Sequence, residues 1–213
     1  READRRKDEF LAMLAHEIRN PLAPIRTAVQ LLRLVELPEA ERTKARDVIE
    51  RQVEHLVRLV DDLLDVARIT RGAITLQRTR VSLGDVAERA TETARPSLTA
   101  RKHELVIVLP PEPVYVDGDV TRLSQVVGNL LNNSAKYTEP QGRIELLVEQ
   151  HAGDALLVVR DNGIGIPPEM QSRVFELFTQ IDRALDRAHD GLGIGLALVK
   201  HLVEMHGGSV TAT

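Results

Sequence analysis

The 213-residue chain has no cysteine and no tryptophan, and only three Phe and two Tyr. Without cysteine, disulfides and thiolate metal sites are excluded and a reducing compartment is permitted. Aromatics at 2% leave the core to Leu, Val, Ile and Ala, which favours helices over an all-β sandwich. No apolar run approaches the roughly 18 residues of a membrane span. The opening READRRKDE is too charged for a signal peptide. Charge of one sign is lacking too: a net charge of −4, spread along the chain, gives no reason to expect nucleic acid as a partner. The expected location is cytoplasmic, for a full-length protein that is either soluble or membrane-tethered. The abrupt start in charged, helix-favouring sequence reads as a cut from something longer.

What is present is ordinary globular material, 43% hydrophobic and 28% charged, enough for one large domain or two small ones. In the first seventy residues, Leu11, Ile18, Ile25 and Leu32 interleave with Ala15, Leu22 and Val29 at alternating spacings of four and three. This two-seam heptad predicts a helix with one buried face. Glu36–Arg42 (ELPEAER) interrupts it. The period resumes at Ile49, Leu56 and Leu63, interleaved with Val53, Val60 and Ala67, and Val57 and Leu64 widen the stripe beyond what one partner helix covers. Two helices bury too little apolar surface to stand alone, so residues 1–70 are expected to form a helical hairpin that dimerises into a four-helix bundle.

The segment LAMLAHEIRNPLAPI places His16 just outside the seam, beside Glu17, with Asn20 one turn on along the same face. An accessible imidazole near a carboxylate that binds one ring nitrogen is a stronger nucleophile at the other. A lone histidine there is more commonly a solvated surface residue, and His55 on the second helix is read that way. Pro21 removes a backbone hydrogen bond and is expected to bend the helix one turn beyond His16.

Residues 71–213 read as an α/β domain. A junction with a short strand at Ile74–Leu76 leads to a helix capped by Ser82; HELVIVLP and VYVD are strands around the proline-rich turn 110–113. The long helix DVTRLSQVVGNLLNNSAKYT carries Asn129, Asn133 and Lys136 on one face and Leu123, Val126, Val127 and Leu130 on the opposite, sheet-facing one. RIELLVEQ and ALLVVRD are neighbouring strands, joined as a hairpin by HAGD. Asp161 ends the second of these, and Gly163 and Gly165 let the following backbone turn tightly and approach a ligand. A carboxylate at that point suits the exocyclic amine of adenine. Further on, Gly191, Gly193 and Gly195 lead straight into a helix, a phosphate cradle of bare N–H groups and helix dipole. Turn glycines alone also explain that spacing. It follows no strand, as a Rossmann fingerprint requires, and no Walker motif is present.

Five segments in this order, AHEIRNPL, NLLNNSAKYT, DNGIGI, FELF and GLGIGLALVK, resemble the H, N, G1, F and G2 boxes of two-component sensor histidine kinases. The resemblance covers essentially the whole chain. It implies a dimerisation and histidine-phosphotransfer hairpin (1–70) followed by a Bergerat-type ATP-binding domain (71–213), an α/β two-layer sandwich. By match to the H box, His16 would be the phosphoacceptor and Glu17 would orient it and take its proton. Glu17-x-x-Asn20 looks like the motif by which some such kinases dephosphorylate their partner, Asn20 positioning a water. By match to the N box, Asn133 would ligate Mg²⁺ near Asn129, Lys136 would pair with phosphate and Tyr137 would flank adenine. Asp161 would accept from adenine N6. Gly163, Gly165, Ile166 and Phe178 would line the ATP pocket with Gly191, Leu192, Gly193, Gly195 and Leu196. Phe175 and Phe178 fit packing roles better than ligand contact. Arg183 and Arg187 fall in the ATP lid, where phosphate contact and solvation are both open. The implied partners are a second copy, the receiver domain of a response regulator and an upstream sensor domain absent from this chain. One departure is that the final strand of the family's ATP domain is missing: GGSVTAT would be the first strand of a closing hairpin, leaving a sheet edge unprotected.

Two other readings compete. A Bergerat ATPase of the gyrase, mismatch-repair or chaperone kind uses a carboxylate on the N-box helix, and here no Asp or Glu lies between Asp119 and Glu139. A non-catalytic dimerisation scaffold leaves the intact glycines and asparagines without a purpose.

Overall fold

The computed structural model describes residues 2–34, 36–70, 74–177, 179 and 193–213. They fall into two compact units, one that comprises Arg1–Gly72 and Asp182–Ile194 and contains the helical hairpin, and an α/β one that comprises Ala73–Ile181 and Gly195–Thr213.

In the helical unit, α1 (Glu2–Leu32) packs on α2 (Glu39–Thr70). The connection closes locally. Pro38 O accepts from Glu41 N and Arg42 N at 3.0 Å, opening α2, and the Arg42 guanidinium reaches back to Leu37 O at 3.1 Å. Glu39 and Glu41 in the first turn complement the helix dipole. α1 continues through both Pro21 and Pro24; each proline leaves the carbonyl four residues earlier, Glu17 and Asn20, without its helical donor. The Pro21 ring is fully buried.

The heptad is only half satisfied within one chain. Ile18, Ile25 and Leu32, with Ile49, Leu56 and Leu63, are half-buried, while Ala28, Ala45 and Leu59 are buried outright. The second seam lies open: Leu22 is 48% exposed, and Val29, Val53 and Val60 are exposed too. Val57 and Leu64, which widen the stripe in sequence, are among the most exposed apolar residues of the hairpin.

In the α/β unit, β1 (Thr79–Ser82) pairs antiparallel with β3 (Tyr115–Gly118). A three-stranded sheet runs in the order β2 (Glu104–Val108), β4 (Arg143–His151), β5 (Asp154–Asp161), with β2 parallel and β5 antiparallel to β4. α3 (Leu83–Ala100) begins where the Ser82 hydroxyl accepts from Asp85 N, and α4 (Val120–Tyr137) begins at Asp119. α5 is Gly195–Met205, and one short 3₁₀ turn spans Pro168–Met170. The HAGD hairpin forms as expected. Ala152 and Gly153 both have positive φ (52° and 95°) between the paired His151 and Asp154, the geometry of a two-residue type I′ turn. β4 alternates, with Ile144, Leu146 and Val148 turned into the core. They meet Val86, Ala90 and Ala94 of α3 and Val127, Leu131 and Ala135 of α4. The small residues of α3 let its backbone come close to α4.

Three expectations are corrected. No strand forms at Ile74–Leu76; the ladder begins at Thr79, opposite Gly118. The next residue on the partner side is Asp119, whose N–H is given to His206 and whose carboxylate accepts from Gln77 N, so no ladder partner remains for 74–76. The buried arc of α4 is Val126, Val127, Gly128, Leu131, Ser134 and Ala135, with Leu123 and Leu130 only half-buried, because α3 and α5 both pack on this helix in addition to the sheet. Finally, the expected strand in GGSVTAT is absent: residues 209–213 join no ladder, and among the described residues nothing pairs with the outer edge of β5.

Candidate functional site

Leu157, Val159 and Asp161 share one face of β5, because strand side chains alternate. Leu157 and Val159 pack on the core, so Asp161 continues that face toward the last turn of α4. There the Ser134 hydroxyl donates to Asp161 Oδ2 at 2.8 Å, and the Gly163 N–H donates to Oδ1 at 3.0 Å. Asp161 itself remains exposed. The turn after it is braced twice. Asn162 Oδ1 accepts from Arg143 N at 2.8 Å, and Ile164 N donates to Tyr137 O at 3.2 Å. Gly163 has no room for a side chain: a β-carbon would lie 2.6 Å from Tyr137 O, 2.8 Å from Asp161 Oδ1 and 3.0 Å from Thr138 Oγ1. Gly165 has φ +68°, where a side chain strains the backbone. Ile166 is half-buried just beyond.

Thr138 closes α4 by donating its N–H to Ser134 O, and is completely buried. Among the described residues its hydroxyl has no hydrogen-bond partner. A buried polar atom left this way is costly unless a ligand or solvent meets it. The carbonyls at this helix end are held by Arg101, which donates to Lys136 O and Thr138 O, and by His103 Nε2–H on Ala135 O. The Lys136 ammonium stands 4.8 Å from the centre of the exposed Tyr137 ring, a cation–π contact.

One to two turns back along α4, Asn129 Nδ2 donates to Gly195 O at 3.4 Å. A β-carbon on Gly195 would sit 4.0 Å from Asn133 Nδ2. The two asparagines are thus gathered at the N-terminus of α5, where the helix dipole favours anions. Leu196 is half-buried in that first turn, and Gly193, two residues before α5, has φ +65°. An amide oxygen supplemented by phosphate oxygens and waters is a donor set suited to Mg²⁺, so Asn133 and its surroundings fit a metal–nucleotide. Phe178, Gly191, Leu192, Arg183 and Arg187 lie outside the described residues.

On the hairpin, His16 and Asn20 are both exposed, one turn apart on α1. Glu17 is only 3% exposed, and Asp65 of α2 is buried as well. The sequence singles out His16, Asn133 and Asp161; it does not single out Ser134, Thr138 and Asn162, which bind or border Asp161 in the structure. Nor does it single out Asp119 and His206, which fix the far ends of α4 and α5. Among the described residues, no helix is long and apolar enough to cross a membrane.

Residues 6–72 match the His Kinase A (phospho-acceptor) domain, and residues 118–213 match the histidine kinase-, DNA gyrase B- and HSP90-like ATPase domain. The circadian input-output histidine kinase CikA of Synechococcus elongatus is 38% identical over 213 residues, 98% of this chain and 28% of its own length. This chain therefore spans well under half of that relative. Among solved structures, full-length ShkA in complex with AMPPNP is 31% identical with a TM-score of 0.66, over 95% of this chain and 42% of that one. The mycobacterial sensor histidine kinase MprB is 34% identical with a TM-score of 0.54, over 63% of this chain and 83% of that one. With a phospho-acceptor hairpin and a histidine kinase-type ATPase domain in sequence, the chain belongs to the sensor histidine kinase family and spans its catalytic core.

Proposed function

We propose that this chain is an ATP-dependent protein-histidine kinase that phosphorylates His16 and passes the phosphoryl group to an aspartate of a response regulator. Residues 1–70 serve dimerisation and phospho-acceptance, and 71–213 hold the nucleotide. The observation that carries the reading is the pairing, in one chain, of an exposed histidine on the matched phospho-acceptor hairpin with the Asp161–Gly163 pocket on the ATPase domain. A nitrogen lone pair of the His16 imidazole attacks the γ-phosphorus in line. The P–N bond forms as the bond to the β,γ-bridging oxygen breaks, and the electron pair leaves with ADP. Glu17, next in sequence, is assigned the ring proton. Phosphoryl transfer asks the protein mainly for alignment and charge neutralisation.

In this assignment Asp161 accepts from adenine N6, Tyr137 flanks the base, and Gly163, Gly165 and Ile166 shape the pocket. Lys136 and the α5 N-terminus at Gly193, Gly195 and Leu196 meet the phosphates, with Phe178, Gly191 and Leu192 assigned to the same pocket by motif. Asn133, assisted by Asn129, would hold Mg²⁺, which neutralises phosphate charge when bound. The open seam of Leu22, Val29, Val53 and Val60 supports a homodimer, whose second copy supplies the missing apolar cover. Asn20 is assigned to a second activity, dephosphorylation of the response regulator. An upstream sensor domain and a cytoplasmic setting, where ATP is available, complete the assignment.

The rival ATPase reading has no carboxylate on α4 with which to activate water. Incubation with γ-labelled ATP and Mg²⁺ separates the alternatives. Acid-labile, base-stable label on the protein supports the kinase; free phosphate alone marks an ATPase; neither marks a scaffold.

A further inference from the structure

We propose that Ser134 is a positioning residue for adenine recognition, holding the Asp161 carboxylate in the orientation from which it reads an exocyclic amine. The inference rests on the assignment of Asp161 to the base of the nucleotide. A carboxylate only accepts, so the 2.8 Å contact fixes the Ser134 hydroxyl as donor to Oδ2, while Gly163 N–H takes Oδ1 at 3.0 Å. Donors on both oxygens, from two different elements, set the plane of the carboxylate; one alone leaves it free to turn about Cβ–Cγ. Ser134 is 6% exposed, so water does not compete for its hydroxyl. Asp161 is exposed, so lone pairs not engaged by Ser134 and Gly163 remain available to a ligand.

The specificity consequence follows from charge. An oriented acceptor attracts the amine at purine C6 and repels a carbonyl oxygen there, and a site built around one polar partner rejects analogues that lack it. Ser134 acts on this choice through Asp161, without touching the nucleotide.

The test titrates ATP and purine riboside triphosphate, which lacks the exocyclic amine, into the 213-residue chain. Ser134→Ala, Asp161→Asn and the double variant are compared, with thermal melts to confirm folding. Ser134→Ala is expected to weaken ATP roughly three- to tenfold, as for loss of a hydrogen bond to a charged group, and the amine-free nucleotide by less than about twofold. It should add nothing further in the Asp161→Asn background. Equal weakening of both nucleotides, or unchanged ATP binding, would overturn the proposal. If Asp161→Asn discriminates the two nucleotides as well as the parent chain does, the assignment of Asp161 itself is wrong and the proposal falls with it. If Asp161→Asn loses that discrimination and Ser134→Ala keeps it, only the role of Ser134 is refuted.

Discussion

The backbone N–H of Asp119 donates to His206 Nε2 across 3.0 Å, joining the start of α4 to the end of α5. The other ring nitrogen of His206 lies 2.7 Å from Leu202 O, which can only accept, so the ring is the neutral tautomer with its proton on Nδ1. Gly118 has to be small for this: a β-carbon there would lie 3.0 Å from the His206 ring and 2.7 Å from Leu123. The Asp119 side chain works in the other direction. Oδ1 accepts from Thr121 N and Arg122 N as a helix cap, and Oδ2 accepts from Gln77 N, in the segment arriving from the hairpin. Arg78 adds a bond to Met205 O at 2.6 Å. The far ends of the two helices that gather Asn129, Asn133 and Gly195 are thus tied to one short stretch of chain.

Burial raises the pKa of Asp119, but the N–H groups of Gln77, Arg122 and Thr121 and the charge of Arg122 outweigh it, leaving the group below its ordinary value of 3.8. A depressed carboxylate contributes stability above the unfolded-state value and loses it as pH falls through the folded one. Melting of the parent chain should therefore gain an acid-dependent component that sets in near pH 3.8 and grows below it. Asp119→Asn should flatten that component, and Asp119→Ala should cost about 1–3 kcal/mol at neutral pH through loss of the cap and the Gln77 bond. Identical acid limbs for the parent chain and Asp119→Asn would contradict this.

Gly163→Ala forces a methyl group against Tyr137 O and Asp161 Oδ1, with closest approaches of 2.6 and 2.8 Å. Both neighbours belong to fixed structure, so the turn must shift. The expected cost is about 1–3 kcal/mol of stability, with ATP affinity down about tenfold or more. Calorimetric titration of the folded variant checks it; unchanged affinity would show that the turn does not shape the base pocket.

Val57 is 54% exposed on a single hairpin. Val57→Asp should leave the isolated fold intact while placing an unpaired charge on the widened stripe of the proposed dimer interface, which costs several kcal/mol when buried. Sedimentation should show dimer dissociation strengthened by a hundredfold or more, about 3 kcal/mol. A dimer as tight as the parent's would place the interface elsewhere.

How much of this was legible in sequence depends on the range of the interactions. The helical periods, the Ser82 cap and the Ala152–Gly153 hairpin are local, and each formed where the pattern placed it. His16, Asn133 and Asp161 stand out as candidates in sequence because motif order marks them. Ser134 does not: it stands beside Asn133 in the same box, but its bond to Asp161 spans 27 residues and leaves no periodic trace. Asp119 and His206 lie 87 residues apart, and neither departs from its local pattern. The strand expected at Ile74–Leu76 failed for a related reason. Its β-propensity was satisfactory, but tertiary contacts of Asp119 had taken the pairing groups. The open half of the hairpin's seam agrees with a stripe wider than one partner helix covers, since periodicity records a buried face without saying which chain covers it.

Asn20 is exposed on α1 one turn beyond His16, where its amide is open to position a water. Asn20→Ala should spare His16 labelling and slow dephosphorylation of the phosphorylated response regulator by about tenfold or more. Phosphate release from labelled receiver domain, measured beside autophosphorylation, gives both rates; equal loss of the two would remove Asn20 from a separate role.

The most direct measurement of the central claim is transfer of label from γ-labelled ATP and Mg²⁺ to the parent chain and to His16→Gln, read after acid and after base treatment. The parent chain should acquire a label that acid removes and base leaves, the signature of a phosphoramidate. His16→Gln should bind ATP as tightly and acquire none. Base-stable, acid-labile label on the His16→Gln protein would place the phosphoacceptor on another residue and contradict the account.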